Sequence, residues 1–203
     1  MNPEPDSSPV PSQPLLSIII VSHNSRRYLR RCLGSLLKVR GNSAFQVILV
    51  DNASSDGTVQ MVKKSFPQVE VISNRKNLGF SKACNQAAVR ATAPRILFLN
   101  PDIEVEQDTI ARMVEKMETA EDIGVLGGLV FDASGLPQHS ARRQIPGIAG
   151  AFFYLTGLSK LFPQSDRVSQ YSRSHESPFR EREVGAVSGS LMMTRKDIFD
   201  SVS

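Results

Sequence analysis

The chain has 203 residues, 40% of them apolar and 22% charged, with a formal net charge of +4. That length and composition suit one soluble α/β core, and mild basicity alone excludes neither a globular enzyme nor a binding module but gives no case for nucleic-acid binding. The N-terminus has no basic start followed by an apolar core, and no run reaches the roughly 20 apolar residues that span a bilayer.

Cys32 and Cys84 lie in helix-like segments without Cys-x-x-Cys or Cys/His spacing, so they are read as small buried hydrophobes in a reducing compartment. The expected location is cytoplasmic, with peripheral contact at the inner face of a membrane. Part of the basic excess is local: His139 to Glu183 holds seven Lys or Arg against four Asp or Glu. Such a stretch can attract anionic lipid or a diphosphate-linked acceptor.

In chain order, residues 1–14 are rich in Pro, Ser and Asn and are read as a disordered leader, because they cannot bury enough surface to offset ordering. Leu16 to Val21 is a β-branched run, the pattern of a strand buried on both faces. Ser25 to Val39 carries a helical stripe of Tyr28, Leu29, Cys32, Leu33, Leu36 and Leu37. Phe45 to Val50 is a second strand closed by Asp51, and Ser54 to Thr58 is a turn whose side chains should cap a helix running to Ser65.

Val69 to Ile72 is a third strand, Gly79 to Ala91 a helix, and Arg95 to Leu99 a fourth strand ending in Asn100-Pro101-Asp102. Gln107 to Met117 is helical, and Ile123 to Phe131 is a strand broken by Gly127-Gly128. The spacing predicts a mostly parallel, Rossmann-like α/β sheet with helices on both faces. The domain of residues 15–131 should bind ligand, and residues 132–203 should begin an incomplete acceptor-side region. Within it, 148–162 is an apolar-aromatic stretch that could dock on a membrane or pack on further chain. Val184 to Thr194 reads as a strand or strand pair, and Lys196 to Val202 as a helix.

In parallel α/β sheets ligands bind outside the carboxyl ends of the strands. Here those ends are Ser22-His23-Asn24, Asp51-Asn52, Asn74 to Gly79, and Asn100-Pro101-Asp102. Short acceptors such as Asp51 and Asn77 suit a base and ribose. A carboxylate at the fourth strand end suits a divalent cation that binds a diphosphate.

Four segments, Ser17 to Asn24, Ile48 to Thr58, Asn77-Leu-Gly-Phe80 with Asn85, and Phe98 to Asp102, together resemble the family-two inverting glycosyltransferases of GT-A fold. Within that family the chain is most similar to the rhamnosyltransferase type, which often carries Asn-Pro-Asp. The resemblance implies that Ser22 and Asn24 lie against the nucleotide and that Asp51 bonds the base. Asn77 and Gly79 would wall the base and ribose, with Gly79 allowing a turn that a side chain would obstruct. Asn85, about one helical turn beyond Lys82, would face the same cleft. Asp102 would ligate Mg²⁺ or Mn²⁺, and Asn100 stands where the usual motif has its first carboxylate. Ala83 and Ala87 replace glycines found in relatives.

The implied partners are a nucleotide-sugar donor, with a dTDP-deoxysugar in view, and a glycan or lipid-linked acceptor. The implied reaction is inverting transfer, for which relatives supply a general base beyond a Gly-Gly-Phe-Asp segment. Val184 to Arg195 with Asp197-Ile-Phe resembles the lead-in to that segment, so the base is expected past Ser203. His139, His175 and Asp197 receive no catalytic role. The rival reading is a truncated, non-catalytic remnant that binds donor and transfers nothing. A dinucleotide oxidoreductase or a nucleotidyltransferase would need a Gly-rich turn that Ser22-His23-Asn24-Ser25 lacks.

Overall fold

The computed structural model describes residues 13–39, 44–132, 134–138, 142–143 and 181–202. The elements are β1 (Leu16–Ser22), α1 (Arg26–Leu36), β2 (Phe45–Asn52), α2 (Thr58–Ser65), β3 (Glu70–Asn74), α3 (Phe80–Ala88), β4 (Arg95–Leu99) and α4 (Thr109–Thr119). They are followed by β5 (Val125–Gly127), β6 (Arg142–Arg143), β7 (Ala186–Val187), β8 (Leu191–Arg195) and α5 (Lys196–Val202). The chain forms two compact units, one of Met1–Gly124 with Met193–Ser203 and one of Val125–Met192.

In the first unit the strand order is β3-β2-β1-β4-β8. The pairs β1–β2, β1–β4 and β2–β3 are parallel. Ile18, Ile19, Ile20, Leu49, Ile96 and Leu97 are all buried, as the apolar runs predict for strands covered on both faces. Each such side chain contributes about 1.5–3 kcal/mol of burial. The chain moves outward from β1 through β2 to β3, then crosses back to β4. Right-handed crossovers therefore put α1 and α2 on one face, where they touch each other, and α3 on the opposite face against β1 and β2. Ala83 and Ala87 are fully buried on α3, so their small side chains set how closely this helix sits on the sheet.

The last helix returns to the first unit. Lys196 N donates to Pro94 O at 2.9 Å, and the rings of Phe98 and Phe199 lie 5.3 Å apart. The boundary between units falls at Gly124 and residues 193–203 rejoin the first, whereas the sequence pattern suggests a division at residue 131.

In the second unit the strand expected over Ile123 to Phe131 is shorter, ending at Gly127. Gly128 N donates to Leu191 O at 3.0 Å, and a Cβ at Gly128 would lie 2.2 Å from Leu191 Cδ2. Beyond it, Phe131 pairs with Pro137 across a tight turn in which Gly135 N donates to Asp132 O at 3.0 Å. The strand or strand pair expected over Val184 to Thr194 is two separate strands, β7 and β8, which lie in different sheets, β7 antiparallel to β6. The leader, through residue 12, and the 148–162 stretch lie outside the described residues, as do His139 and His175.

Candidate functional site

The carboxyl ends of β1, β2, β3 and β4 share one rim because these strands are parallel. Ser22 at the end of β1 and Asp51 near the end of β2 are register partners and lie on the same face of the sheet. Both are buried, at 1% and 2% exposure. Asp51 Oδ2 accepts from Ser54 N at 3.0 Å, but Asp51 Oδ1 and Ser22 Oγ have no hydrogen-bond partner among the described residues. A buried polar atom left unpaired costs about 1–3 kcal/mol, which makes these adjacent orphans candidate contacts for a polar ligand. An ionised carboxylate oxygen only accepts, so a ligand pairing with it would bring an N–H or O–H.

Around this pair the loops are tied together. Asn24 adopts a left-handed φ of 50° and Ala53 one of 62°. Asn24 N donates to Ser54 Oγ at 2.8 Å, and Asn24 Oδ1 accepts from Ser55 N at 2.8 Å. His23 Nδ1 sits 2.7 Å from Asn52 O; a carbonyl can only accept, so Nδ1 carries the proton. The Ser54–Thr58 turn supplies the expected capping side chain for α2, though not from the N-cap position, which is Gly57. Asp56 serves instead. Its Oδ1 accepts from Thr58 N at 3.1 Å and Thr58 Oγ1 at 2.5 Å, while Oδ2 accepts from Arg26 N, at the start of α1, at 2.9 Å. Desolvation is the largest single influence and works against the Asp56 charge, but the bonds from Thr58 and Arg26 together prevail and hold its carboxyl below the usual range.

The third strand end carries a second network. Asn74 Nδ2 donates to Asn52 Oδ1 at 2.9 Å, and Asn74 and Gln86 exchange side-chain amide bonds at 3.0 Å each way. Asn52 Nδ2 reaches Gly79 O at 3.3 Å, and Asn77 Oδ1 accepts from Gly79 N at 2.9 Å. Gly79 has φ 82° and ψ 167°, a region open essentially to glycine alone. A Cβ there would meet nothing within 4 Å, so it is the backbone conformation of the turn that demands glycine. On α3 it is Gln86 that reaches the strand ends. Asn85 is exposed, with no side-chain hydrogen bond among the described residues.

At the fourth strand end the loop rests on α1. Cys32 Sγ lies 3.7 Å from Asn100 O, Val105 N donates to Ser35 Oγ at 2.9 Å, and Arg31 pairs with Glu104 at 2.6 Å. Asn100 is half-buried and Asp102 exposed. Burial pushes the Cys32 thiol up to about 12, with Asp102 and Glu104 adding negative charge in the same direction. Burial likewise raises Cys84 to about 12, so both cysteines are the inert hydrophobes expected.

Among the described residues no group of three or more His, Cys, Asp or Glu forms a cation cage. A single exposed carboxylate does fit a hard cation that keeps waters and reaches the protein through one or two carboxylates plus substrate phosphates. Gln86 and Ser35 receive no role from the sequence, and Asn52, Asn74 and Asp56 enter it only as members of strand ends or of the capping turn.

This architecture is the GT-A fold of glycosyltransferases. Residues 1–349 of S. aureus TarS match 92% of this chain, over 48% of their own length, at a TM-score of 0.61 and 21% identity. A mannosyltransferase of Pyrobaculum calidifontis, solved with GDP-Man and Mn²⁺, matches 63% of this chain and 39% of its own at a TM-score of 0.54 and 22% identity. The chain belongs to glycosyl transferase family 2, whose sequence model matches residues 17–203. An N-acetylglucosaminyl-diphospho-decaprenol L-rhamnosyltransferase of Mycobacterium tuberculosis is 27% identical over 199 residues, 93% of this chain. An uncharacterized Bacillus subtilis glycosyltransferase, YfnE, is 31% identical over 113 residues, covering 55% of this chain and 29% of its own. The chain spans 64% of the mycobacterial relative's length. The family and the likeness to a rhamnosyltransferase are as the four motifs implied.

Proposed function

We propose that this chain binds a nucleotide-sugar donor across the rim, for inverting transfer to a glycan or lipid-linked acceptor. The observation that carries this reading is the buried Ser22–Asp51 pair with its two unpartnered oxygens. Asp51 Oδ1 accepts an N–H from the base, and the Ser22 hydroxyl lies beside it. Asn77 and Gly79 form the wall along the base and ribose. Asn24 shapes the nucleotide side of the cleft through its bonds to the Ser54–Ser55 turn.

Asp102, with Asn100 beside it, holds Mg²⁺ or Mn²⁺. The cation neutralises charge on the leaving diphosphate when bound. Asn85 extends the exposed edge of the cleft. The mycobacterial relative's name supports a donor carrying a deoxysugar such as a dTDP-sugar, and a lipid-linked diphosphate sugar as acceptor. An acceptor of that kind would bring the chain to the inner face of a membrane. The general base is assigned to no described residue. On this reading the 203-residue chain binds donor without transferring it, and a transfer assay on the chain by itself tests that.

Calorimetry with nucleoside diphosphates tests donor binding. UDP, dTDP and GDP offer an N–H at the ring position facing Asp51, whereas ADP and CDP offer an acceptor and should bind about tenfold more weakly. All should require Mg²⁺ or Mn²⁺. Equal, metal-independent binding of all five would sink the assignment.

A further inference from the structure

The exposed face of α1 is occupied by cations that the donor site does not use. Arg26, Arg27, Arg30 and Arg31, with Tyr28, Asn24, Ser25 and Asp56, line a hollow of about 460 Å³. The four arginines are exposed, as is Lys38, two residues past the end of the helix. The buried side, Leu29, Cys32, Leu33 and Leu36, holds the helix on the sheet, so the charged side is free to meet a partner.

Helix stability does not explain this charge pattern. The first turn of α1 holds no acidic residue, and two arginines stand where the helix dipole favours carboxylates. Two acids face the arginines from neighbouring elements. Asp56 is engaged with Arg26 N and Thr58, and Glu104 pairs with Arg31 across an exposed 2.6 Å contact. Arg27, Arg30 and Lys38 have no ion pair among the described residues. The choice of arginine in the hollow, with its flat fork of donors, fits phosphate oxygens bound two at a time. Two exposed side chains of interfacial type flank the face, Tyr28 at 57% and Leu37 at 49%.

We propose that this face is a phosphate-binding surface that docks the protein on the headgroups of anionic phospholipid. Arg27, Arg30 and Arg31 contact headgroup phosphates and Lys38 adds long-range attraction. Tyr28 and Leu37 sit at the level of the headgroups. Because the apolar side of α1 is taken up by the core, attraction of this cationic face to a membrane is electrostatic, at about 1 kcal/mol per basic residue near an anionic surface. The inference rests on α1 alone and holds whatever sugar the rim binds.

The full chain is sedimented with vesicles of phosphatidylcholine, with and without 30% phosphatidylglycerol, beside the double variant Arg27→Gln/Arg30→Gln and the control Lys63→Gln/Lys64→Gln. The control removes two exposed lysines of α2 and the same total charge. Binding should need phosphatidylglycerol and fall about 25-fold in the arginine variant, but only slightly in the control. Melting temperature and metal-dependent nucleotide binding should match the parent in both. Millimolar inorganic phosphate should not displace the protein from vesicles, nor should saturating UDP with Mg²⁺. Equal losses in the two variants would reduce the effect to overall basicity and overturn the proposal. So would undiminished binding by the arginine variant, displacement by UDP, or saturable phosphate binding without vesicle binding.

Discussion

The two ends of the rim are built differently. At the β1–β2 end, Asp51 is buried, held on one oxygen by Ser54, and surrounded by loops locked through Asn24, His23 and Asp56. At the β4 end the backbone is anchored on α1 while Asp102 itself stands exposed. On the proposed reading, the difference shows where each half of donor recognition would be prepared. The β1–β2 end carries unpartnered buried oxygens in the folded protein. The β4 end would acquire its charge arrangement only with a cation and ligand bound.

Asp102→Ala should produce the largest effect. Nucleoside diphosphate affinity in Mg²⁺ should drop about 100-fold, the upper end of losses seen when a metal site's support is removed. The melting temperature should stay put because an exposed side chain is lost. Affinity that keeps its metal dependence in this variant would place the cation elsewhere.

Asp51→Asn should behave in the opposite sense on stability. The amide keeps an acceptor for Ser54 N but loses the one aimed at the base, so affinity should fall about 10-fold, the equivalent of one hydrogen bond to a charged group. Removing a buried, half-satisfied charge should leave stability unchanged or higher, the trade expected where function keeps a polar group unpaired. If binding and melting temperature fell together, Asp51 would be structural and the contrast between the two ends would collapse.

Much of the first unit was legible because its information is local. A short β-branched run such as Ile18-Ile19-Ile20 favours a covered strand by its length and residue type, and the side chains after each run lie on one rim once the strands are parallel. Asp51 and Gly79 were readable for the same reason: each sits beside a strand end or a turn that its residue type explains. What could not be read depends on partners distant in the chain. Gln86 and Asn74 are only two amides on a helix and a strand until the fold brings them within 3.0 Å. Asp56 looked like a cap for the helix after it, and its second oxygen caps a helix thirty residues earlier. The β5 strand ends at Gly127, at the Gly127-Gly128 break the sequence marks, but that Gly128 packs against Leu191 is something the local sequence does not reveal.

Gly79→Ala separates the wall of the cleft from its two ends. The added methyl meets no atom, so its effect is the conformational strain of φ 82° and ψ 167°, about 1–3 kcal/mol. A lower melting temperature with weaker nucleotide binding at saturating Mg²⁺ is the expected result. An unchanged melting temperature would mean the loop relaxes without loss, and the Asn77–Gly79 turn would then not be held by Asn52.

The smallest effect concerns what keeps the base end rigid. Asp56→Asn weakens the bonds that start α1 and α2, costing about 1 kcal/mol at pH 7 by analogy with a lost helix cap. The sign of its pH dependence follows from the lowered carboxyl of Asp56. A group whose folded-state pKa is depressed stabilises fully above its unfolded value, about 3.9, and loses that contribution as pH falls through the folded value. Parent and variant should therefore differ in melting temperature at pH 7 and converge only below about pH 4. Because the carboxylate ties Arg26 to Thr58, the variant should also loosen the Asn24 loop and weaken nucleotide binding slightly, through the base end and without altering metal dependence. A gap that persisted unchanged well below pH 3 would trace the stabilisation to packing instead of charge, and Asp56 would lose its role in holding the base end together.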